Sequence, residues 1–190
     1  MAGVWDIVYN ILLIASSTYG LTRKSLISKK FAYLGLALFC LNGCLTLVND
    51  LTNCQAVDEA AFLAHGFANT IGVDLFAVDT CISSGVDPYL SCVILVPPVI
   101  DLIVIYGFRA TSWSRVTSVS HILSVALLFN IAIRDGRPIL IVTGMSFLFA
   151  VLINREDIYF EYNDVTGYNA IAVFCASWFF QGKDFKDMGF

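Results

Sequence analysis

The chain has 190 residues, of which 58% are hydrophobic and 14% charged; the net charge is −4 and the mean hydropathy +0.77. A soluble domain this short keeps too much surface wet to hide that apolar content, so composition excludes an ordinary soluble protein and predicts an all-α, polytopic transmembrane helical bundle. The acidic balance, with no basic stripe, excludes nucleic acid; the expected partners are membrane lipids and other membrane-protein subunits.

A helix crosses a bilayer in about 20 apolar residues. Charges and turn residues predict crossings at 4–21, 31–51, 60–82, 89–107, 117–134, 138–154 and 166–181, in one domain over 1–190. The first apolar run precedes its basic cluster rather than following one, which predicts an uncleaved span and not a signal peptide. Asp6, Asn10 and Ser17 share a face of it.

The second span carries a polar stripe of Asn42, Thr46, Asn49 and Asn53, with Gly35, Ala37 and Gly43 small enough for close helix approach. Its Cys40 and Cys44 are four residues apart. With no C-x-x-C among the six cysteines, they read as small hydrophobes. In the third span His65, Asn69, Gly72 and Asp79 lie on one side and Asp74 on another; Ala64 and Ala68 join the small residues.

Pro88, after Asp87, opens the fourth span. Pro97 and Pro98 remove two backbone donors from it and predict a kink or break ahead of Asp101. His121 lies in the fifth span, with Asn130 on the opposite face. Pro138 starts the sixth, which is short; without it there are six spans and everything beyond is inverted. The tail ASWFFQGKDFKDMGF follows the seventh, and its Trp178, Phe179 and Phe180 predict an interfacial belt.

Lys and Arg set the orientation. Eight of the eleven fall on one side: Arg23, Lys24, Lys29, Lys30, Arg134, Arg137, Lys183 and Lys186. Arg109, Arg115 and Arg155 fall on the other, with Asp58, Glu59, Glu156, Asp157, Glu161 and Asp164. Seven spans then put the N-terminus outside or in a lumen and the C-terminus in the cytoplasm. Short spans fit a thin bilayer such as the endoplasmic reticulum or another endomembrane, with the mitochondrial inner membrane as the alternative.

Ionisable residues inside spans face the bundle interior or water. Retinal chemistry would need a lysine within a span, and Lys24, Lys29, Lys30, Lys183 and Lys186 all lie outside. Haem ligation by His65 and His121 has only the two imidazoles to recommend it. Zinc needs three ligands, and no spaced motif joins the histidines to Asp74 or Asp101. No metal or other cofactor is therefore expected.

Three functions remain. The leading one is an accessory or assembly subunit of a membrane complex. The alternative is an intramembrane isomerase, lyase or hydrolase, or a lipid- or sterol-binding protein, with an outer-half pocket. Its catalytic candidates are His65, Asp101 and His121, and its binding groups Asn49, Asn69, Asp74 and Asp79. The third is a small transporter or proton channel using the ladder Asp6, Asp101, Asp74 and Asp79.

Overall fold

The computed structural model describes residues 3–52, 54–107, 115–153 and 162–188, and among these the chain is all-α, without a strand. The helices are α1 (Val4–Leu21), the single turn α2 (Lys24–Ile27), α3 (Lys30–Thr52), α4 (Gln55–Ser83), α5 (Pro88–Cys92), α6 (Val96–Leu102), α7 (Arg115–Asp135), α8 (Pro138–Ile153) and α9 (Tyr162–Phe179). Six long helices pack as a closed ring in the order α1, α3, α4, α7, α8, α9, back to α1. The run Pro88–Gly107 packs from outside against α4 and α7.

Four described segments are long and apolar enough to cross a membrane: Val4–Leu21, Lys30–Thr52, Gln55–Ser83 and Pro88–Gly107. Pro138–Leu152 and Val165–Phe179 are shorter apolar helices. The exterior is as greasy as the interior. On α3, Leu34, Leu41 and Val48 repeat every seven residues and point outward, while Ala32, Gly35, Leu36, Phe39, Asn42 and Gly43 point inward. Such a surface suits lipid and not water.

α4 is the most enclosed of the four crossing segments, with every residue from Gly72 to Cys81 buried. It begins at Gln55, five residues before the expected boundary, because Asp58 and Glu59 are favourable near the positive end of a helix. At the centre, Phe39, Phe76 and Phe147 form a triangle with ring centroids 5.7–6.2 Å apart. Gly72 makes room for it: a Cβ there would lie 2.6 Å from Phe39 Cε2. Phe180 stacks on Phe76 at 6.4 Å and is buried, so it belongs to this core and not to the expected interfacial belt.

The fourth segment departs from one straight helix as the two prolines require. Without amide hydrogens, Pro97 and Pro98 cannot bond the carbonyls four residues back, at Val93 and Ile94. The chain passes through a 3-10 turn at Val93–Leu95 and restarts as α6, with the prolines in its first turn where no donor is missed. Ser120 Oγ approaches the freed Ile94 carbonyl at 3.4 Å. The run ends in a π turn, Ile103–Gly107.

Hydrogen bonds gather the basic loops at one end of the ring. Tyr19 donates to Gln181 Oε1 (3.3 Å), Lys29 Nζ to Ser83 Oγ (2.8 Å), and Arg134 to the Ser84 carbonyl (2.8 Å). Arg23 lies over the Tyr19 ring and Lys183 over Trp178. α4, α7 and α9 all terminate at this end, on Gly85, Gly136 and Gly182 in the left-handed region. Each is followed by an amide bonded back to the last helical turn, at Cys81, Ala132 and Trp178.

Candidate functional site

The polar residues of the interior form three groups along α4. The first, at the basic end, centres on Asp79. α3 opens with Lys30 and has no acidic residue in its first turn, a poor start for a helix N-terminus. Asp79 supplies what is missing from across the helix pair. Its Oδ2 accepts the Ala32 amide at 2.6 Å in a buried setting. Asp184 does the same for α8, accepting the Ile139 amide at 3.3 Å. Asp79 caps a helix other than its own, and Asp184 also accepts the Phe185 amide of the turn that follows it at 2.7 Å.

The second group lies mid-helix, between α4 and α7. His121 Nε2 donates to the Thr70 carbonyl at 3.0 Å and stands 3.4 Å from Asp74 Oδ2. Asp74 Oδ1 accepts from Ser124, with Ser120 also within reach at 3.5 Å. Asp74, His121 and Ser124 have zero exposure. A nucleophilic triad needs the hydroxyl to donate to the imidazole. Here neither hydroxyl donates to the imidazole: Ser124 turns to the carboxylate, Ser120 lies between it and the Ile94 carbonyl, and His121 Nδ1 has no partner among the described residues. The geometry is that of a fastener closing α7 onto α4.

The third group lies towards the opposite end. The Asn69 amide donates to His65 Nε2 at 2.7 Å, and Asn169 of α9 donates to Asn69 Oδ1 at 3.1 Å. Above these bonds lies a cavity of about 260 Å³ whose lining includes Asp6, Tyr9, Asn49, Asp50, Asp58 and His65. Asn10 donates to Asp50 (3.1 Å) and Asn49 to Asp58 (2.9 Å), tying α1 to α3 and α3 to α4 around its mouth.

The structure therefore separates residues that the sequence grouped. His65, with Asn49 and Asn69 around it, belongs to the far-end cavity. His121 and Asp74 form the sealed mid-helix pair, and Asp79 is a cap. His65 and the Thr70 carbonyl that holds His121 are five residues apart on α4, about 7.5 Å along its axis and roughly 140° around it, so the imidazoles do not share a pocket. Asp101 is buried on α6, and its Oδ2 has no hydrogen-bond partner among the described residues.

Among the described residues no group of three His, Cys, Asp or Glu side chains could hold a metal ion. Sequence reasoning missed Thr70, Ser120 and Ser124. The two serines, four apart on the face that carries His121, were the available signal. It also missed Tyr9, which reads as an aromatic among apolar neighbours. No family model, curated protein or solved structure matches this chain.

Proposed function

We propose that the chain is a multi-pass integral membrane protein that works as a non-catalytic accessory or assembly subunit, crossing the bilayer seven times with its N-terminus outside or in a lumen. The observation that supports this reading is the use made of the interior polar groups. Asp74, His121, Ser124 and Asp79 are spent on joints between helices, in places where water and substrate have no access. A catalyst needs its reactive groups beside a space for the reacting atoms. The clustering of basic loops at one end supports the orientation, with that end in the cytoplasm. The short α8 favours a thin membrane such as the endoplasmic reticulum.

Two measurements test it. Glycosylation acceptors placed beside Arg23, Arg137 and Lys183 should all stay unmodified, and one beside Cys54 should be modified; Arg23 and Lys183 on opposite faces would overturn the threading. After gentle detergent extraction the protein should run in an assembly of fixed stoichiometry that keeps working when it carries His65→Ala, the imidazole that borders a cavity. A purified monomer with turnover abolished by His65→Ala, fold intact, would overturn the non-catalytic role.

A further inference from the structure

Between α1 and α9 runs an open, mostly apolar groove of about 650 Å³, whose lining includes Tyr9, Leu12, Ala15, Tyr19, Ile171 and Phe174. Leu12, Ala15 and Ile171 are exposed, so the groove faces outward, where a membrane protein meets lipid. From Tyr9 to Tyr19 it follows α1 for about 15 Å, roughly half the hydrocarbon thickness of a bilayer. Its volume falls among small-molecule sites, which span about 300–1,000 Å³. A helix of about 10 Å diameter would need nearly twice the volume over the same length.

A run of aromatic contacts connects this groove to two cations. Tyr19 and Phe174, one from each wall, have ring centroids 5.7 Å apart. The Arg23 guanidinium lies 4.2 Å over the Tyr19 ring. Phe174 packs on Trp178 at 5.6 Å, and Lys183 Nζ lies 5.4 Å over that indole. The Tyr19 hydroxyl donates to Gln181 at 3.3 Å, tying the two walls together at the same end. Arg23 and Lys183 are both exposed, and neither makes an ion pair among the described residues. The acids closest to Lys183 in sequence are turned elsewhere: Asp184 accepts the Ile139 and Phe185 amides, and Asp187 the Asp184 amide. Other cations of this end are engaged, Arg134 with Asp135 and Lys29 with Ser83. A guanidinium stacked by its face keeps its edge N–H donors for a ligand.

We propose that this groove is a binding site for a phospholipid with an anionic headgroup. The phosphate sits at the Tyr19 end against Arg23 and Lys183, and one acyl chain lies along α1 between Leu12 and Ile171, towards Tyr9. Charge selects the head, because the guanidinium fork matches two phosphate oxygens and the ammonium adds a point charge. The apolar walls take the chain. In the orientation proposed above, the basic end meets the cytoplasmic leaflet, whose surface is anionic. The site requires the membrane-embedded bundle but not the accessory role.

The test is native mass spectrometry of the full chain in detergent, equilibrated with equal amounts of dioleoyl phosphatidylglycerol and dioleoyl phosphatidylcholine. The first lipid retained should be phosphatidylglycerol, in about tenfold excess. Arg23→Gln with Lys183→Gln should bring the two lipids to parity. Lys30→Gln with Arg137→Gln removes the same charge from the basic end but away from the groove, and should leave the excess in place. Ala15→Phe, which fills the groove from an exposed position, should lower the retention of both lipids. Glycerol phosphate, a headgroup without chains, should not compete. Equal retention of the two lipids by the unmodified protein would overturn the proposal without any variant. An excess lost as fully with Lys30 and Arg137 as with Arg23 and Lys183 would assign it to the general field of the basic end, and a competing glycerol phosphate would remove the chain from the site; either overturns it. Ala15→Phe that releases a partner subunit while lipid retention stays unchanged would give the groove to a protein and overturn it as well.

Discussion

Removing the Asp79 carboxylate should unfasten α3 at its first turn. In Asp79→Ala the Ala32 amide loses an acceptor 2.6 Å away, and Ala32 is fully buried, so water cannot replace it. A hydrogen bond to a charged group contributes about 1.5–3 kcal/mol, and an orphaned buried donor costs about 1–3 kcal/mol. Helix caps measured by substitution fall at about 0.5–2 kcal/mol. Part of the loss returns, because the carboxylate no longer has to be kept from water. The expected net loss is about 2 kcal/mol, close to a 30-fold fall in the folding ratio. Asp79→Asn keeps an acceptor oxygen and should lose about half as much. Steric trapping in bicelles reads the global stability. Hydrogen exchange at the Phe31, Ala32 and Tyr33 amides reads the first turn alone and should speed up there before anywhere else in α3. The reasoning fails if Asp79→Ala costs less than about 0.5 kcal/mol, the size of an ordinary surface change, or if the alanine and asparagine variants are indistinguishable.

Two further outcomes follow from the packing. Gly72→Val should destabilise by about 1–3 kcal/mol, because Phe39 is held between Phe76 and Phe147 and cannot retreat; Gly107→Ala, with its nearest contact at 3.8 Å, should change stability by less than about 0.5 kcal/mol in the same unfolding assay. Ser124→Ala should cost about 0.6–1.7 kcal/mol in the native background and almost nothing once Asp74 is alanine; equal costs in both backgrounds of this double-mutant cycle would show that the two side chains do not act as a pair.

The helical character of the chain was legible in its hydropathy, because a segment with no polar backbone partner in lipid must satisfy its own amides. The assignment of polar residues to sites was not. Helical spacing placed Asp79 beside His65 and Asn69, since all three share a face of α4. A face 29 residues long meets more than one neighbour, however, and Asp79 meets the start of α3 while Asn69 meets α9. Angle around one helix carries no information about which partner stands opposite at each level. Likewise the proline pair announced a distorted segment, but the serine that answers the freed carbonyl comes from a helix more than 20 residues later.

A hydroxyl has one proton to give, and Ser120 stands between two claimants: the Ile94 carbonyl released by the prolines at 3.4 Å, and Asp74 Oδ1 at 3.5 Å. Asp74 Oδ1 keeps the Ser124 hydroxyl whichever way Ser120 turns, so the distorted fourth segment and the imidazole–carboxylate joint share the Ser120 proton, and the carbonyl has the greater need of it. One hydroxyl on α7 thus touches both the proline-distorted segment and the carboxylate beside His121.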